Sequence, residues 1–452
     1  MYPRAKFELG ILLLIVAAVV PAWAMNKPAV WHPAAVIGAI AFAVSLRFSK
    51  KFRGYQFTAW IIAAVTIAMI YPGRVLHVGD LDLRNKWLLL IIVQLVMFGM
   101  GTQMRLKDFA GIVKTPRGVL IGIVCHFSVM PLVGYALTKL FHFEPEIAAG
   151  IILIGSCSSG LASNVMAYIA RSNLVLSVTV TAITTLIAPL MTPIWMKLLA
   201  GTLIEVKFFN LMMEIIKIVL VPIGAALLHD YLKFASPRGR KWIYGFGLFG
   251  VLWLAFLASG GWLKIKSTLP ENGLIGIGII GFLLAAVIAG IAFHWLTQGF
   301  PKIEQVMPMF SMFGIVYFTL VTTAAGRDHL LNVGLWLFLA AAIHNAAGYV
   351  FGYWLSRFAK LDQNSARSVA FEVGLQNGSM ASGVANAMGM LGTMGLAAAI
   401  FSPWMNVSGS VLANYWRKRN GSDEDLTGGN KGNGETDQAT GESIPTISSP
   451  RR

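Results

Sequence analysis

The chain has 452 residues, of which 56% are hydrophobic and only 12% charged, with a formal net charge of +16 and a mean hydropathy of +0.68. Soluble domains carry about 25% charged residues, so this composition excludes an ordinary water-soluble fold and points to an all-α polytopic membrane protein. A basic excess would suit nucleic acid in a soluble protein, but no basic-aromatic surface stretch accompanies it here. The lipid bilayer, not nucleic acid, is the expected surrounding of these cations.

The apolar residues gather into runs of about 17–25, the length that crosses the hydrocarbon layer as helix. In chain order they fall at 9–25, 30–46, 57–72, 87–104, 118–138, 146–170, 173–196, 208–229, 242–262, 273–297, 306–325, 333–356, 367–390 and 393–416. With the N-terminus in the cytoplasm, the inner segments hold 22 Lys and Arg and the outer loops 10. "RFSKKFR" (47–53), "SPRGRK" (236–241) and "WRKR" (416–419) all fall inside. Excess cytoplasmic Lys and Arg is the expected bias of a membrane protein, so both termini are expected in the cytoplasm.

The first run also has the outline of a signal peptide, with Ala22-Trp23-Ala24 placed like a cleavage site. A retained helix is the preferred reading because Glu8 interrupts the basic start; cleavage would leave the later topology unchanged. Residues 421–452 are rich in Gly, Ser, Thr and Asn without hydrophobic period and are expected to be a disordered cytoplasmic tail. Cys125 and Cys157 both lie in apolar runs and read as packed thiols. Glu214 and Lys217, three apart on one helix face, read as an ordinary ion pair.

Two runs are interrupted in the same way, "GIILIGSCSSGLASNVMAYIA" (150–170) and "VAFEVGLQNGSMASGVANAMGML" (369–391). Gly and Ser in mid-span free backbone groups, which is tolerated where the backbone lines a cavity; close packing through small residues selects the same residues. Interrupted spans in two halves of a chain mark a carrier's midplane site, and the added Glu372 and Asn164 favour the cavity. A carboxylate at mid-bilayer costs at least about 2.5–3.5 kcal/mol. Apart from Arg367, at the expected cytoplasmic end, its own run supplies no cation. Glu372 is therefore either neutral or balanced by a cation that the chain does not encode. A hard monovalent cation takes oxygen ligands. Ser177 and Thr181, four apart on one face, with Ser163 and Asn164 at the first break, supply such oxygens.

At these residues the chain resembles the bile acid:sodium symporter family, bacterial-type members included. The resemblance covers roughly residues 57–230 and 305–419 and rests on "MFGMG" (97–101), "SCSSGLASNVMAYIARSNLVLSVTVT" (156–181), "APLMTP" (188–193), "IHNAAGYVFG" (343–352), "FEVGLQN" (371–377) and "FSPWMNVSG" (401–409). It implies a ten-helix core of two inverted five-helix repeats, with broken fourth and ninth core helices crossing at the ion site. About four further helices are additions. Residues 57–240 and 301–420 would form that core, 1–56 and 241–300 added helix pairs.

The resemblance also implies a first sodium site at Ser163, Asn164, Ser177, Thr181 and Glu372. A second would use Glu372, Gln376 and backbone oxygens around Val373 and Leu375, with His126 standing where the family has glutamine. Leu161, Asn377 and Asn406 would face the substrate, an organic anion of bile-acid-like or small-carboxylate type moved with one or two sodium ions. Three departures stand out: His126 itself, Ser158-Ser159 in place of the usual Pro-Gly, and Met405 where His is common.

His126 leaves three readings open: a neutral ring bonded inside the bundle, a lost second sodium site, or proton coupling in place of sodium. An uncoupled carrier remains a further alternative. An intramembrane enzyme with Cys157 or a serine as nucleophile needs a base such as His126 or His344 within reach; no catalytic sequence pattern supports it. The chain is expected to be a transporter, with His344-Asn345 as an interhelical hydrogen-bonding pair.

Overall fold

The structure, a computed structural model, describes residues 28–48 and 56–428. The expected first span at 9–25, its signal-peptide alternative, part of the basic cluster at 47–53 and residues 429–452 of the tail lie outside the described residues. Every later expected span is helical, and nine helices among the described residues are long and apolar enough to cross a membrane. The protein is an all-α polytopic membrane protein.

The helices are α1 (Pro28–Phe48), α2 (Gln56–Ile70), α3 (Lys86–Gly101), α4 (Pro116–Phe141), α5 (Pro145–Ser156), α6 (Ala162–Ile169), α7 (Leu174–Ala200) and α8 (Phe208–Phe234). They continue with α9 (Pro237–Thr268), α10 (Gly273–Gly299), α11 (Lys302–Ala325) and α12 (Arg327–Phe358). Last come α13 (Gln363–Gly374), α14 (Gly378–Ala387) and α15 (Gly395–Arg419). The last helix runs on to Gly428, so the start of the segment expected to be disordered is helical. A hairpin, His77–Val78 with Leu81–Asp82, fills the loop before α3, an element the apolar pattern did not announce.

Local chemistry sets many of the ends. Asn85, Asn173, Asp362 and Asn377 each accept a backbone N–H of the first turn they precede, which satisfies groups a helix start leaves unpaired. Inside α8, Pro222 cannot continue the ladder, and the helix widens to a π turn at Ile216–Leu220 just before it. The Lys217 carbonyl there accepts Gln94 Nε2 at 3.2 Å, tying α8 to α3. Lys217 also pairs with Glu214, as the spacing indicated.

Packing separates two groups. α11 lies against α2 and α3, α3 against α8, and α10 joins α8 to α9. The other group surrounds the interrupted helices: α12 packs on α13, α4 and α15, and α4 on α5. Gly348 of α12 lets that helix close on α13, since a Cβ there would meet the Gly374 Cα at 2.7 Å. The groups meet where α14 packs on α3, with Gly383 against Val93 and Ile218.

Candidate ion and substrate site

Both interrupted spans are broken, and the breaks pair with each other. α5 ends at Ser156 and α13 at Gly374, with Cys157 and Leu375 extended. The stretches that follow run antiparallel, with Ser159 opposite Gln376. Gly160 N–H donates to the Leu375 carbonyl and Asn377 N–H to the Ser158 carbonyl, both at 2.9 Å. Each break thus satisfies backbone groups that the other leaves open, as a low-dielectric interior requires. A side chain at Gly160 would put a Cβ 2.7 Å from the Gln376 carbonyl oxygen, so this position is held to glycine. Ser158 and Ser159 are fully buried in the crossing.

Glu372, in the last turn of α13, is completely buried. Ser177 Oγ donates to Oε1 at 2.5 Å and Thr181 Oγ1 to Oε2 at 2.8 Å. The Asn164 Oδ1 lies 2.9 Å from Ser177 Oγ and 3.2 Å from Thr181 Oγ1. Ser163 Oγ stands 3.2 Å from Thr181 Oγ1 while donating to the Gly160 carbonyl at 2.8 Å. Each hydroxyl has one proton, so the Ser177 and Thr181 protons must serve three acceptor oxygens. Among the described residues no Lys, Arg or His side chain pairs with the Glu372 carboxylate. The cluster is short of positive charge and rich in oxygen. The structure thus brings together Ser163, Asn164, Ser177, Thr181 and Glu372.

The other expected ligands meet a different environment. The Val373 carbonyl accepts Gln376 Nε2 at 2.7 Å, and the Leu375 carbonyl accepts Gly160 N–H and, at 3.3 Å, Ser159 Oγ. Gln376 Oε1 is buried without a partner. His126, fully buried on α4, has Nδ1 2.9 Å from the Glu372 carbonyl and Nε2 2.8 Å from the Cys157 carbonyl. The ring therefore bridges the C-terminal ends of both first half-helices. It meets the carbonyl of Cys157, and both cysteines are buried free thiols.

The second half-helices begin at a cavity of about 260 Å³. Leu161 and Asn377, the residues that precede α6 and α14, line it together with Asn406, Met405, Met312 and Val165. All three expected substrate residues are in this wall. Among the described residues no Lys, Arg, His, Asp or Glu lines the cavity, so the polarity they give it comes from amides, hydroxyls and the positive starts of two helices. Asn377 Oδ1 caps α14 by accepting Met380 N–H at 3.1 Å, while Asn406 Nδ2 turns back to the Ser402 carbonyl at 2.7 Å.

Supporting bonds lie one shell away. Asn345 Nδ2 donates to the Gly374 carbonyl at 2.8 Å, and His344 Nε2 stands 2.8 Å from the Met130 carbonyl; both members of the expected pair bond across helices. Ser408 Oγ donates to Asn345 Oδ1 at 2.6 Å. Sequence reasoning missed Ser159, Asn345 and Ser408 as site supports, because a serine or an amide in an apolar run does not name its partner. Arg367, at the expected cytoplasmic end, is buried, lying over the Trp416 ring 5.8 Å from its centre. Asn173, which precedes α7, donates from Nδ2 to Ser365 Oγ in the first turn of α13 at 3.0 Å.

Crossed broken helices, a caged carboxylate and a cavity at the half-helix starts define the architecture of a membrane carrier. The chain matches the Sodium Bile acid symporter family over residues 90–269. It is similar to the uncharacterized sodium-dependent transporter YocS of Bacillus subtilis (strain 168), 29% identical over 374 residues, covering 83% of this chain and 94% of that protein. The probable chloroplastic sodium/metabolite cotransporter BASS1 of Arabidopsis thaliana is 29% identical over 365 residues, 80% of this chain and 73% of its own. The human ileal sodium/bile acid cotransporter is 29% identical over 297 residues, 64% of this chain and 66% of its own. The protein is a transporter, not an enzyme.

Proposed function

We propose that this protein is a secondary active carrier that couples inward sodium movement to the uptake of a small organic anion by alternating access. The observation that carries the reading is the buried carboxylate of Glu372, held by hydroxyls and an amide oxygen without a cationic side chain. An uncompensated charge there would cost several kcal/mol, and a sodium ion supplies the missing charge. Ser163, Asn164, Ser177, Thr181 and Glu372 would hold it. Sodium-dependent relatives support the same assignment.

We assign one ion rather than two. The carbonyls that would serve a second ion are engaged, by Gln376, Gly160, Ser159 and the His126 ring. A neutral imidazole donates to only one of its two carbonyls and a charged ring to both. That geometry favours a second reading, in which a proton on His126 takes the place of a second sodium ion.

The substrate is a compact monoanion. Helix starts and neutral amides suit one negative group, apolar side chains suit a short hydrocarbon remainder, and about 260 Å³ is below the range of drug-sized pockets. Sodium and substrate sit on the two sides of one crossing, so sodium that orders the crossing would favour the substrate-competent state. Residues 57–240 and 301–420 would form the carrier core of two inverted repeats, with 1–56 and 241–300 added. The basic ends support cytoplasmic termini, and the membrane would be a bacterial inner (plasma) membrane.

Uptake of small carboxylates into proteoliposomes, with external sodium replaced by choline, tests the coupling. Sodium-driven accumulation that collapses in choline is the expected result. Equal uptake in both media would remove sodium from the mechanism.

A further inference from the structure

A second cavity, of about 550 Å³, opens at the ends of α3, α8 and α11, away from the crossing. Its walls carry Arg105, Lys107, His229, Asp230, Lys233 and Glu304. Lys233 pairs with Glu304, and Asp230 Oδ2 accepts the Leu106 N–H at 3.3 Å. Asp108 beside them is occupied by the Arg105 N–H at 2.7 Å. Arg105 and Lys107 form no ion pair among the described residues, and the lining itself carries three cations, Arg105, Lys107 and Lys233, against two carboxylates, Asp230 and Glu304.

His229 adds an independent sign. It lines the cavity while only 2% exposed, and its Nε2 is buried with no hydrogen-bond partner among the described residues. The nearest carboxylate oxygen, Glu304 Oε2, is 3.8 Å away, too far for a direct bond. Buried polar atoms are nearly always satisfied, so this nitrogen points to a group supplied from outside the chain. Its Nδ1 is 3.4 Å from His294 Nδ1 on α10, and Gln298 Nε2 stands 3.1 Å from His294 Nε2. His294 of α10 thus stands behind His229. The rim is apolar: Phe234 is 85% exposed and Leu106 44%.

We propose that this cleft binds a phosphate group, presented by the headgroup of an anionic phospholipid. Guanidinium and ammonium donors converging on one hollow suit phosphate oxygens. Basic pockets between helix ends, at the level of the headgroups, are where anionic lipids lodge. Phe234 and Leu106 give acyl chains an apolar path out of the cleft, which a free phosphate ion does not need. A headgroup here ties together α3, α8 and α11, whose Met100, Gln103 and Pro308 form one wall of the transport cavity. The site is separate from the Glu372 cage and stands or falls independently of sodium coupling.

The test is the melting temperature of the purified full chain in detergent micelles. The micelles are doped with dioleoylphosphatidylglycerol or dioleoylphosphatidylcholine, or the buffer is supplemented with inorganic phosphate. Phosphatidylglycerol raises the melting temperature by several degrees and phosphatidylcholine does not. In the Arg105→Ala/Lys107→Ala double variant the same rise needs at least about tenfold more phosphatidylglycerol, while any sodium-induced shift stays as in the unmodified chain. Both residues are exposed, and Lys107→Glu serves as a second variant with the same expected direction. If inorganic phosphate alone reproduces the full rise and the double variant loses it, phosphate recognition holds but the lipid source is overturned. A rise that is equal for both lipids, or unchanged in both variants, overturns the proposal.

Discussion

Two neighbouring places at the crossing are both polarised to attract positive charge, and the chain treats them differently. At the first, the Glu372 carboxylate meets Ser177, Thr181 and Asn164, whose protons are too few for the oxygens present. At the second, the negative ends of α5 and α13 converge, but the His126 ring lies between the Cys157 and Glu372 carbonyls. The same backbone device therefore yields one oxygen cage and one plug. Resident side chains and mobile ions compete for the same carbonyls; in the proposed single-ion reading, the His126 ring takes the place of a second ion.

The contrast is broken most severely at its first place. Glu372→Gln keeps the volume and removes the charge; sodium-driven uptake should fall more than about 100-fold, the cost of leaving one partner of a buried charge pair alone. The variant should still be produced and fold, as read by its elution profile and melting temperature. Full uptake in this variant would falsify the cage as a sodium site. A smaller effect follows from Thr181→Val, which keeps the shape and deletes the hydroxyl 2.8 Å from Oε2. A hydrogen bond to a charged group contributes about 1.5–3 kcal/mol, so the sodium concentration for half-maximal uptake should rise about tenfold or more, with little change at saturating sodium. An unshifted sodium curve would show that this hydroxyl does not face the ion.

The second place is sharpened by His126→Gln. An amide frees at least one of the two carbonyls and offers an oxygen of its own, so the Hill coefficient for sodium should rise from about one toward two. A coefficient already near two in the unmodified chain would mean that the ring excludes nothing. The smallest effect is expected far from both places, at the hairpin before α3. Arg84 donates to Asp82 from its side chain and its backbone and holds that carboxyl down at about 2. A lowered carboxyl favours the folded state above its unfolded value near 4 and loses that contribution only as pH falls through about 2. Asp82→Asn should therefore leave the pH profile of uptake between about 5 and 8 unchanged; a profile that moves would place this loop in the transport path.

Hydrophobic run length alone identified a polytopic helical bundle, because the bilayer forces each span to satisfy its own backbone and to be apolar for its whole length. Both broken spans were legible, and so was the question that Glu372 raises: Gly and Ser are tolerated in mid-bilayer only under a few conditions, and a buried carboxylate is costly enough to demand an explanation. The spacing of Ser177 and Thr181 placed both hydroxyls on one face of α7. Only the tertiary structure decided what those pieces meet. Ser159 faces Gln376 across more than two hundred residues, Asn345 closes the end of α13, Arg367 is buried over Trp416, and His126 bridges two helix ends at once. Spacing along a helix fixes a side chain's direction, but partners contributed by other spans depend on how the helices cross. That crossing is set by the sum of many small packing contacts, such as Gly160 against the Gln376 carbonyl and Gly348 against Gly374, which no single segment contains.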